Sequence, residues 1–389
     1  MNIRWRHLRL SGWYFFYFAF VGAYASYFTL FLQELRFSAM QISVLMSIAQ
    51  VMRLVAPPLW GLLADRTGHR LYIVRLAALL SATGFALVFF RQDFAGLFVA
   101  KALMMFFWSA ALPLVEALTL EHLRERTGNY GRIRLWGSIG FIVATLLAGR
   151  LLDEWPLAAV PWICLALLVG ILISALALPE APAHGQDAAP AAVRQPLALH
   201  GALGLFAACF LMSVAHGPLY VFYSIHLADH GYERSSIGLF WSLGVIAEIL
   251  VFLVMPLLQR RYTLRSILAA SLAIAVVRFL LIGWCASAPA VLLLAQLMHG
   301  ATFGAFHAAA VAWLHRAFPA WQQARAQAIY GSISFGAGGL IGGLLAGQTW
   351  SPLGAGWTYS LAALFAGFGL AVMLRTAPPP PTEPKENER

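Results

Sequence analysis

Residues 41–63, QISVLMSIAQVMRLVAPPLWGLL, and residues 236–258, SIGLFWSLGVIAEILVFLVMPLL, are the two stretches that decide the fold. Each is apolar over about the 20 residues that cross a bilayer. A shift of 195 residues superimposes Ile42 on Ile237, Ser47 on Ser242, Arg53 on Glu248 and Leu62-Leu63 on Leu257-Leu258. This offset is close to half of the 389-residue chain, and a charged residue recurs at the same depth. The repeat predicts a membrane protein built from two similar halves.

Composition agrees with a membrane protein, because 61% of the residues are hydrophobic and 11% are charged, whereas charged residues make up about 25% of a typical soluble domain. Apolar runs long enough to cross a bilayer occur at 10–32, 41–63, 71–90, 94–118, 133–152, 158–178, 201–227, 236–258, 266–284, 288–315, 327–348 and 356–374. The sequence therefore predicts an all-α integral membrane protein with twelve transmembrane helices in two pseudo-symmetric six-helix bundles.

Breaks in the apolar pattern predict the domain boundaries. Residues 1–178 form the predicted N-terminal bundle and 201–375 the C-terminal bundle. Residues 179–200, rich in Ala, Pro and Gly, are predicted to be a cytoplasmic linker, and 376–389 a disordered cytoplasmic tail. In span eleven, glycines repeat between 336 and 347 and predict close approach of a neighbouring backbone, which fits a sliding helix and static packing equally.

The net charge of +10 is distributed as expected for membrane topology and not for nucleic-acid binding, because basic residues cluster in short segments between apolar runs. Nineteen of them fall in segments predicted to lie inside, and four, Arg36, Arg91, Arg150 and Arg234, fall outside. This positive-inside bias predicts a multi-pass protein of the cytoplasmic (inner) membrane with both termini in the cytoplasm.

Catalytic and metal-binding patterns are missing from the sequence. There is neither an HExxH pattern nor a nucleophile elbow, so we expect no enzyme activity. Cys164, Cys209 and Cys285 fall in three different predicted spans and are expected to be buried thiols. We expect no metal, no cofactor other than the proton as coupling ion, no nucleic-acid partner and a monomer.

Ionisable residues inside spans are costly and indicate a pair, a cavity or a function. Glu248 is predicted near mid-membrane as a substrate-binding or proton-carrying carboxylate. Arg53 is predicted to anchor an anion through its guanidinium, with a fixed salt bridge as the alternative. For Glu116 we expect proton coupling or gating, or pairing with a loop arginine such as Arg132 or Arg134. Arg278 is expected to be a structural or coupling partner of span eight or ten.

Polar side chains also recur at helical spacing. His216, Tyr220 and Tyr223 in span seven, and Gln296, His299, Phe303 and His307 in span ten, are predicted to face a cavity. Histidine titrates near neutral pH, so His299 and His307 are candidate proton carriers. Lys101, Met105, Trp108, Leu112 and Glu116 share one face of span four. Trp108 and Tyr24 are candidates for substrate contact or for packing, and the Lys101 side chain is expected to snorkel to the membrane interface.

The segment GLLADRTGHR at 61–70 resembles the signature loop of the major facilitator superfamily between spans two and three. The matching positions are Gly61, Asp65, Arg66, Gly68 and Arg70. Gly61 is expected to permit close helix crossing, and Asp65 to pair with a guanidinium. The resemblance implies the major facilitator fold, with this loop as a gating latch on the cytoplasmic side.

A narrower resemblance rests on YGRIRLWGS at 130–138 and WSLGVIAE at 241–248, with His216, Arg278 and the polar residues of span ten. Together they are similar to the phenylpropionate permease branch, which is akin to the lactose permease group of proton symporters. The resemblance implies that spans one, four, seven and ten line a cavity that opens to alternate faces, and that Glu248 is a binding-site carboxylate.

These observations favour proton-coupled import of a small organic solute, an aromatic carboxylate such as a phenylpropionate-like acid. Symport of a neutral sugar or nucleoside is the alternative, since Arg53 and Glu248 could also bind hydroxyl groups. Efflux is disfavoured by a fifth span without the glycine-proline motif of drug antiporters, and a non-transporting membrane sensor is the remaining possibility.

Overall fold

The protein is helical throughout the residues that the computed structural model describes, which are 3–123, 129–179 and 202–377. No β-strand occurs among them. The helices are α1 (Ile3–Glu34), α2 (Ala39–Thr67), α3 (Arg70–Ala86), α4 (Phe94–Leu123), α5 (Tyr130–Glu154), α6 (Val160–Ala177), α7 (Leu203–Ala215), α8 (Gly217–Asp229), α9 (Arg234–Arg261), α10 (Leu264–Trp284), α11 (Pro289–His299), α12 (Phe306–Ala317), α13 (Ala320–Gly331) and α14 (Gly339–Arg375). Apart from Pro179, Thr376 and Ala377, the predicted linker and tail lie outside the described residues.

In the described part of the chain, eleven helical segments are long and apolar enough to cross a membrane. The last, Trp321–Arg375, has 55 residues, which at 1.5 Å per residue is about 80 Å, more than twice the thickness of the hydrocarbon core. Gly354 interrupts it with φ 78° and ψ 170°. This segment therefore supplies both of the last two predicted spans, and the prediction of twelve crossings is confirmed.

The chain forms two compact units. The first contains Met1–Ala189, Leu219–Ser242 and Gly343–Ser351, and the second contains the rest of the chain, including Leu243–Gly342. Two short segments from the second half of the sequence thus pack with the first half.

These segments meet the first half at the end of the first unit that carries Glu154 and Asp229, called the outer end below because the predicted topology places it outside. Tyr27 of α1 donates a hydrogen bond to the Thr145 carbonyl at 2.8 Å and to the Arg234 carbonyl at 3.1 Å. One phenol therefore ties α1 and α5 to the first turn of α9.

Two further contacts reinforce the outer end. The carboxylate of Asp153 accepts the backbone N–H of Ser235 at 3.1 Å and so caps the start of α9. Gly343 of α14 lies against α2, where a Cβ would sit 3.0 Å from the Ser47 hydroxyl oxygen.

Glycines also bring α14 against α7 in the second unit. A Cβ at Gly342 would lie 2.8 Å from the Cα of Val214, and one at Gly338 would lie 2.8 Å from the Cβ of Ser213. Side chains at these positions would push the two backbones apart, so the close approach predicted from the glycine repeat is confirmed.

Candidate functional site

Helices α9 and α11 of the second unit bring a carboxylate and an imidazole together. His299 Nε2 lies 2.7 Å from Glu248 Oε1. The Glu248 side chain is 18% exposed and that of His299 is 8% exposed. The pair is therefore largely shielded by the protein, and the carboxylate keeps a small exposed area.

Close backbone packing sets this contact. A Cβ at Gly244 would lie 3.1 Å from the His299 ring, and one at Gly300 would lie 2.6 Å from the Ala247 carbonyl oxygen. A π-helical turn, Gly300–Ala305, follows His299 directly. Such turns are rare in proteins as a whole, but many of those that occur lie at functional sites. Here the glycines allow α9 to approach the segment that carries His299.

Arg278 of α10 lies behind this pair and is fully buried. Its guanidinium donates to the Ala295 carbonyl at 2.8 Å, to the Thr302 hydroxyl at 3.0 Å and to Gln296 Oε1 at 3.5 Å. The Arg278 charge also acts on Glu248. The predicted partnership of Arg278 with span ten is thus observed, and it is made through neutral acceptors.

Phe303 stacks between the two histidines of span ten. Its ring centroid is 5.5 Å from that of His299 and 6.3 Å from that of His307, with interplanar angles of 17° and 13°. Nδ1 of His307 lies 2.9 Å from the Tyr330 hydroxyl. The rings of His299, Phe303 and His307 therefore form one stack along span ten. Tyr330 of α13 contacts this stack, and sequence reasoning missed it because nothing in the spacing of α13 singles it out.

Span seven is interrupted for one residue, at His216. The helix breaks at His216, between α7 and α8, and the His216 ring lies 5.1 Å from Phe279 and 6.2 Å from His299. Tyr220 and Tyr223 follow the break and belong to the first unit. The backbone at His216 is still right-handed helical, with φ −79° and ψ −7°, and Leu203–Asp229 forms one apolar helical segment. The predicted common face of His216, Tyr220 and Tyr223 therefore stays a prediction.

Tyr220 and Tyr223 pack against Trp241 of α9. The Tyr223 ring meets Trp241 edge-on at 5.5 Å, and that of Tyr220 is nearly parallel to it at 6.5 Å. Trp241 Nε1 donates to the Ser224 hydroxyl at 2.9 Å. Tyr223 is fully buried, whereas Tyr220 is half-buried.

An aromatic stripe of α1 packs on α4 within the first unit. The Trp108 indole stacks on Tyr17 at 4.5 Å with an interplanar angle of 7° and lies 5.7 Å from Phe20. Its Nε1 is buried and has no hydrogen-bond partner among the described residues. Tyr24 continues the stripe, stacked on Phe28 at 4.8 Å. Both predicted readings of Trp108, packing and substrate contact, fit this arrangement.

Lys101 lies at the end of this stripe and is fully buried. Its ammonium is 3.3 Å from the Met46 sulfur and lies over the rings of Tyr24 and Phe28, at 5.0 and 4.8 Å from their centroids. The expectation that this side chain snorkels to the interface is wrong, because α2 and the aromatic rings cover it.

Glu116 pairs with an arginine, which is one of the two predicted alternatives for this residue. Its Oε1 lies 3.7 Å from Arg134 Nε and accepts a hydrogen bond from the Tyr130 hydroxyl at 3.3 Å. The Arg134 guanidinium also lies 4.0 Å from the Phe18 ring. Glu116 is thus held by the start of α5, and its predicted coupling role stays a prediction.

Arg53 of α2 is exposed. Among the described residues it forms neither a hydrogen bond nor an ion pair, and its charge acts on the Tyr17 hydroxyl. The alternative of a fixed salt bridge is therefore not observed, and the guanidinium is available to an anion.

The loop between α2 and α3 is organised by a glycine and an arginine. Gly68 ends α2 in the left-handed conformation, with φ 69°, and donates its N–H to the Ala64 carbonyl at 2.9 Å. Arg70 pairs with Asp65 at 3.5 Å and also with Glu121 of α4.

Two other residues of this loop make no comparable contact with the residues that the structure describes. A Cβ at Gly61 would meet open space, so the expected close crossing at Gly61 is wrong in this conformation. Arg66 is exposed in the last turn of α2, and its gating role stays a prediction.

Comparison with known proteins extends over nearly the whole chain. The model of the MFS_1 like family matches residues 7–361. The chain is 29% identical over 378 residues to a "Probable 3-phenylpropionic acid transporter" of Escherichia coli (strain K12), covering 94% of this chain and 97% of that protein. It is 28% identical over 376 residues to a maltose permease of Geobacillus stearothermophilus, covering 94% and 93%.

The fold is similar to that of solved transporters. The crystal structure of the nucleoside transporter NupG superimposes with a TM-score of 0.80 at 19% identity, over 96% of this chain and 98% of that one.

Proposed function

Because this chain belongs to the MFS_1 like family, a group of membrane transporters, we propose that it imports a small aromatic carboxylate together with a proton by alternating access. The protein is a multi-pass membrane transporter and not an enzyme, with a small-molecule substrate and a lipid environment. Substrate class, coupling ion and direction are our proposals. We also propose the inner membrane, cytoplasmic termini, a monomer and no cofactor besides the proton.

The contact between Glu248 and His299 carries the proposal of proton coupling. A carboxylate 2.7 Å from an imidazole holds a proton between two groups that both titrate. With Glu248 ionised, His299 neutral and Arg278 cationic, the formal charge of the three is zero. One added proton makes it +1, which complements a monoanionic substrate. Proton and carboxylate binding then favour each other, as symport requires.

The candidate binding residues favour a carboxylate. Arg53 is exposed and has no ion pair among the described residues, and its planar guanidinium suits bidentate binding of a carboxylate. Trp108 and Tyr24 offer aromatic surface for a ring, and Trp108 Nε1 is a donor without a partner among the described residues. In the second unit, Gln296 Nε2 and His299 Nδ1 are also buried and have no hydrogen-bond partner among the described residues, so they can bind a polar group.

The test is uptake into proteoliposomes with an imposed inward proton gradient. We expect accumulation of 3-phenylpropionate, and its loss when a protonophore collapses the gradient. Accumulation of maltose or uridine instead of the acid would refute the proposal that the substrate is a carboxylate.

A neutral sugar is the second candidate, and the maltose permease similarity favours it. Replacement of Arg53 by Gln separates the two. An anion carrier is expected to lose about 10- to 100-fold in substrate affinity, the equivalent of about 1.5–3 kcal/mol for a charge-assisted hydrogen bond, whereas a sugar carrier retains most of its affinity. Arg91→Gln is the matched control, because Arg91 pairs with Asp93 on the surface.

A further inference from the structure

Lys101 is a buried cation without a buried anion. It is fully shielded from solvent, and no carboxylate of the described residues contacts it. Its ammonium contacts the uncharged Met46 sulfur at 3.3 Å.

The surroundings of Lys101 offset only part of the cost of burying an ammonium. Two aromatic faces, at 5.0 and 4.8 Å, attract a cation, and the thioether is a weak acceptor. An ammonium has three donors and normally finds charged or strongly polar acceptors when it is removed from water. The Tyr24 hydroxyl donates to the same Met46 sulfur at 3.9 Å, and no hydrogen bond joins it to Lys101.

We propose that Lys101 pairs with the carboxylate of the transported anion, as a second cation of the substrate site besides Arg53. This rests on the proposed function and names the group that selects an acid over a neutral solute. The stripe below Lys101 supplies the complementary surface for an aromatic ring. Trp108, two turns along the same face of α4, stacks on Tyr17 of α1 at 4.5 Å.

Access to Lys101 is controlled by Met46. Methionine is unbranched and flexible, so it can leave the ammonium with little strain. Met46 precedes Ser47, which packs on Gly343 of α14 at the outer end. Substrate contact with Lys101 therefore requires the Met46 side chain to move away from the ammonium.

The experiment measures equilibrium binding of 3-phenylpropionate and of its uncharged analogue 3-phenylpropanol to the full-length protein in nanodiscs. The native protein is expected to bind the acid at least about 10-fold more tightly than the alcohol. Lys101→Met, which is close in shape and removes a buried charge, is expected to weaken acid binding about 10- to 100-fold and to leave alcohol binding unchanged. Its Tm is expected to stay at or above that of the native protein.

Three controls make the outcome decisive. Lys101→Gln gives a second variant if Lys101→Met folds poorly, and the acid-to-alcohol ratio is a readout that a purely structural lysine would not change. Arg91→Gln removes a cation on the same side of the first bundle and is expected to preserve the ratio. Acid binding by both Lys101 variants at native affinity would overturn the inference but leave the proposed function intact. Native protein that binds maltose or uridine and neither phenyl compound would overturn the proposed function itself.

Discussion

Replacement of Glu248 by Gln is the most informative single change. The amide keeps the shape of the carboxylate and can still hydrogen-bond to His299, but it carries no charge and takes up no proton. The 2.7 Å contact then changes from a charge-assisted hydrogen bond to a neutral one. That difference is about 1 kcal/mol or more, so it weakens the pair about five-fold or more and removes the titratable carboxylate.

Two transport assays, one driven by a proton gradient and one at equal pH, distinguish loss of proton coupling from loss of transport. In proteoliposomes, Glu248→Gln is expected to abolish accumulation driven by a proton gradient. Exchange of labelled for unlabelled 3-phenylpropionate at equal pH is expected to continue at a substantial fraction of the native rate, because exchange requires no net proton release. Glu154→Gln is the matched control, since Glu154 forms an exposed ion pair with Arg150, and both activities should persist.

The result that would refute this reasoning is gradient-driven accumulation at the native level by Glu248→Gln. If Glu116→Gln lost accumulation in the same assay, the coupling carboxylate would lie in the first unit, beside Arg134.

Three further changes test the surrounding structure. Arg278→Met leaves three buried acceptors without the Arg278 donor. It is expected to lower the free energy of unfolding by about 2 kcal/mol or more, which is measured as a lower Tm. An unchanged Tm would contradict these hydrogen bonds. Tyr27→Phe removes two hydrogen bonds at the outer end. A cysteine placed at Ser235 should then react about 3- to 10-fold faster with an impermeant maleimide. An equal reaction rate would show that these bonds do not hold the outer end together. Gly342→Ala should lower Tm through its clash with α7, whereas Gly331→Ala, with open space around its Cβ, should not; equal effects would argue against close packing there.

The membrane fold was predictable because long apolar runs and the distribution of basic residues are written directly in the sequence. Interruptions within helices were less accessible. The break at His216 and the π-helical turn after His299 depend on packing against neighbouring helices, as the glycine contacts at Gly300 and Gly342 show. Local propensity carries no record of those neighbours.

The sequence indicates which residues belong to the candidate site better than it indicates which of them touch each other. Glu248 and His299 were both singled out as ionisable residues within spans, but only the fold shows that they touch. Lys101 was assigned to the interface from its distance to the end of span four. Its burial comes from Met46 on another helix, which no periodicity within span four could reveal.

Simultaneous measurement of solute and proton movement tests the central claim most directly. With 3-phenylpropionate added outside proteoliposomes at equal pH and zero membrane potential, we predict alkalinisation of the external medium in step with solute entry, and loss of that signal in Glu248→Gln. Entry of 3-phenylpropionate by the native protein without any proton movement would contradict the account.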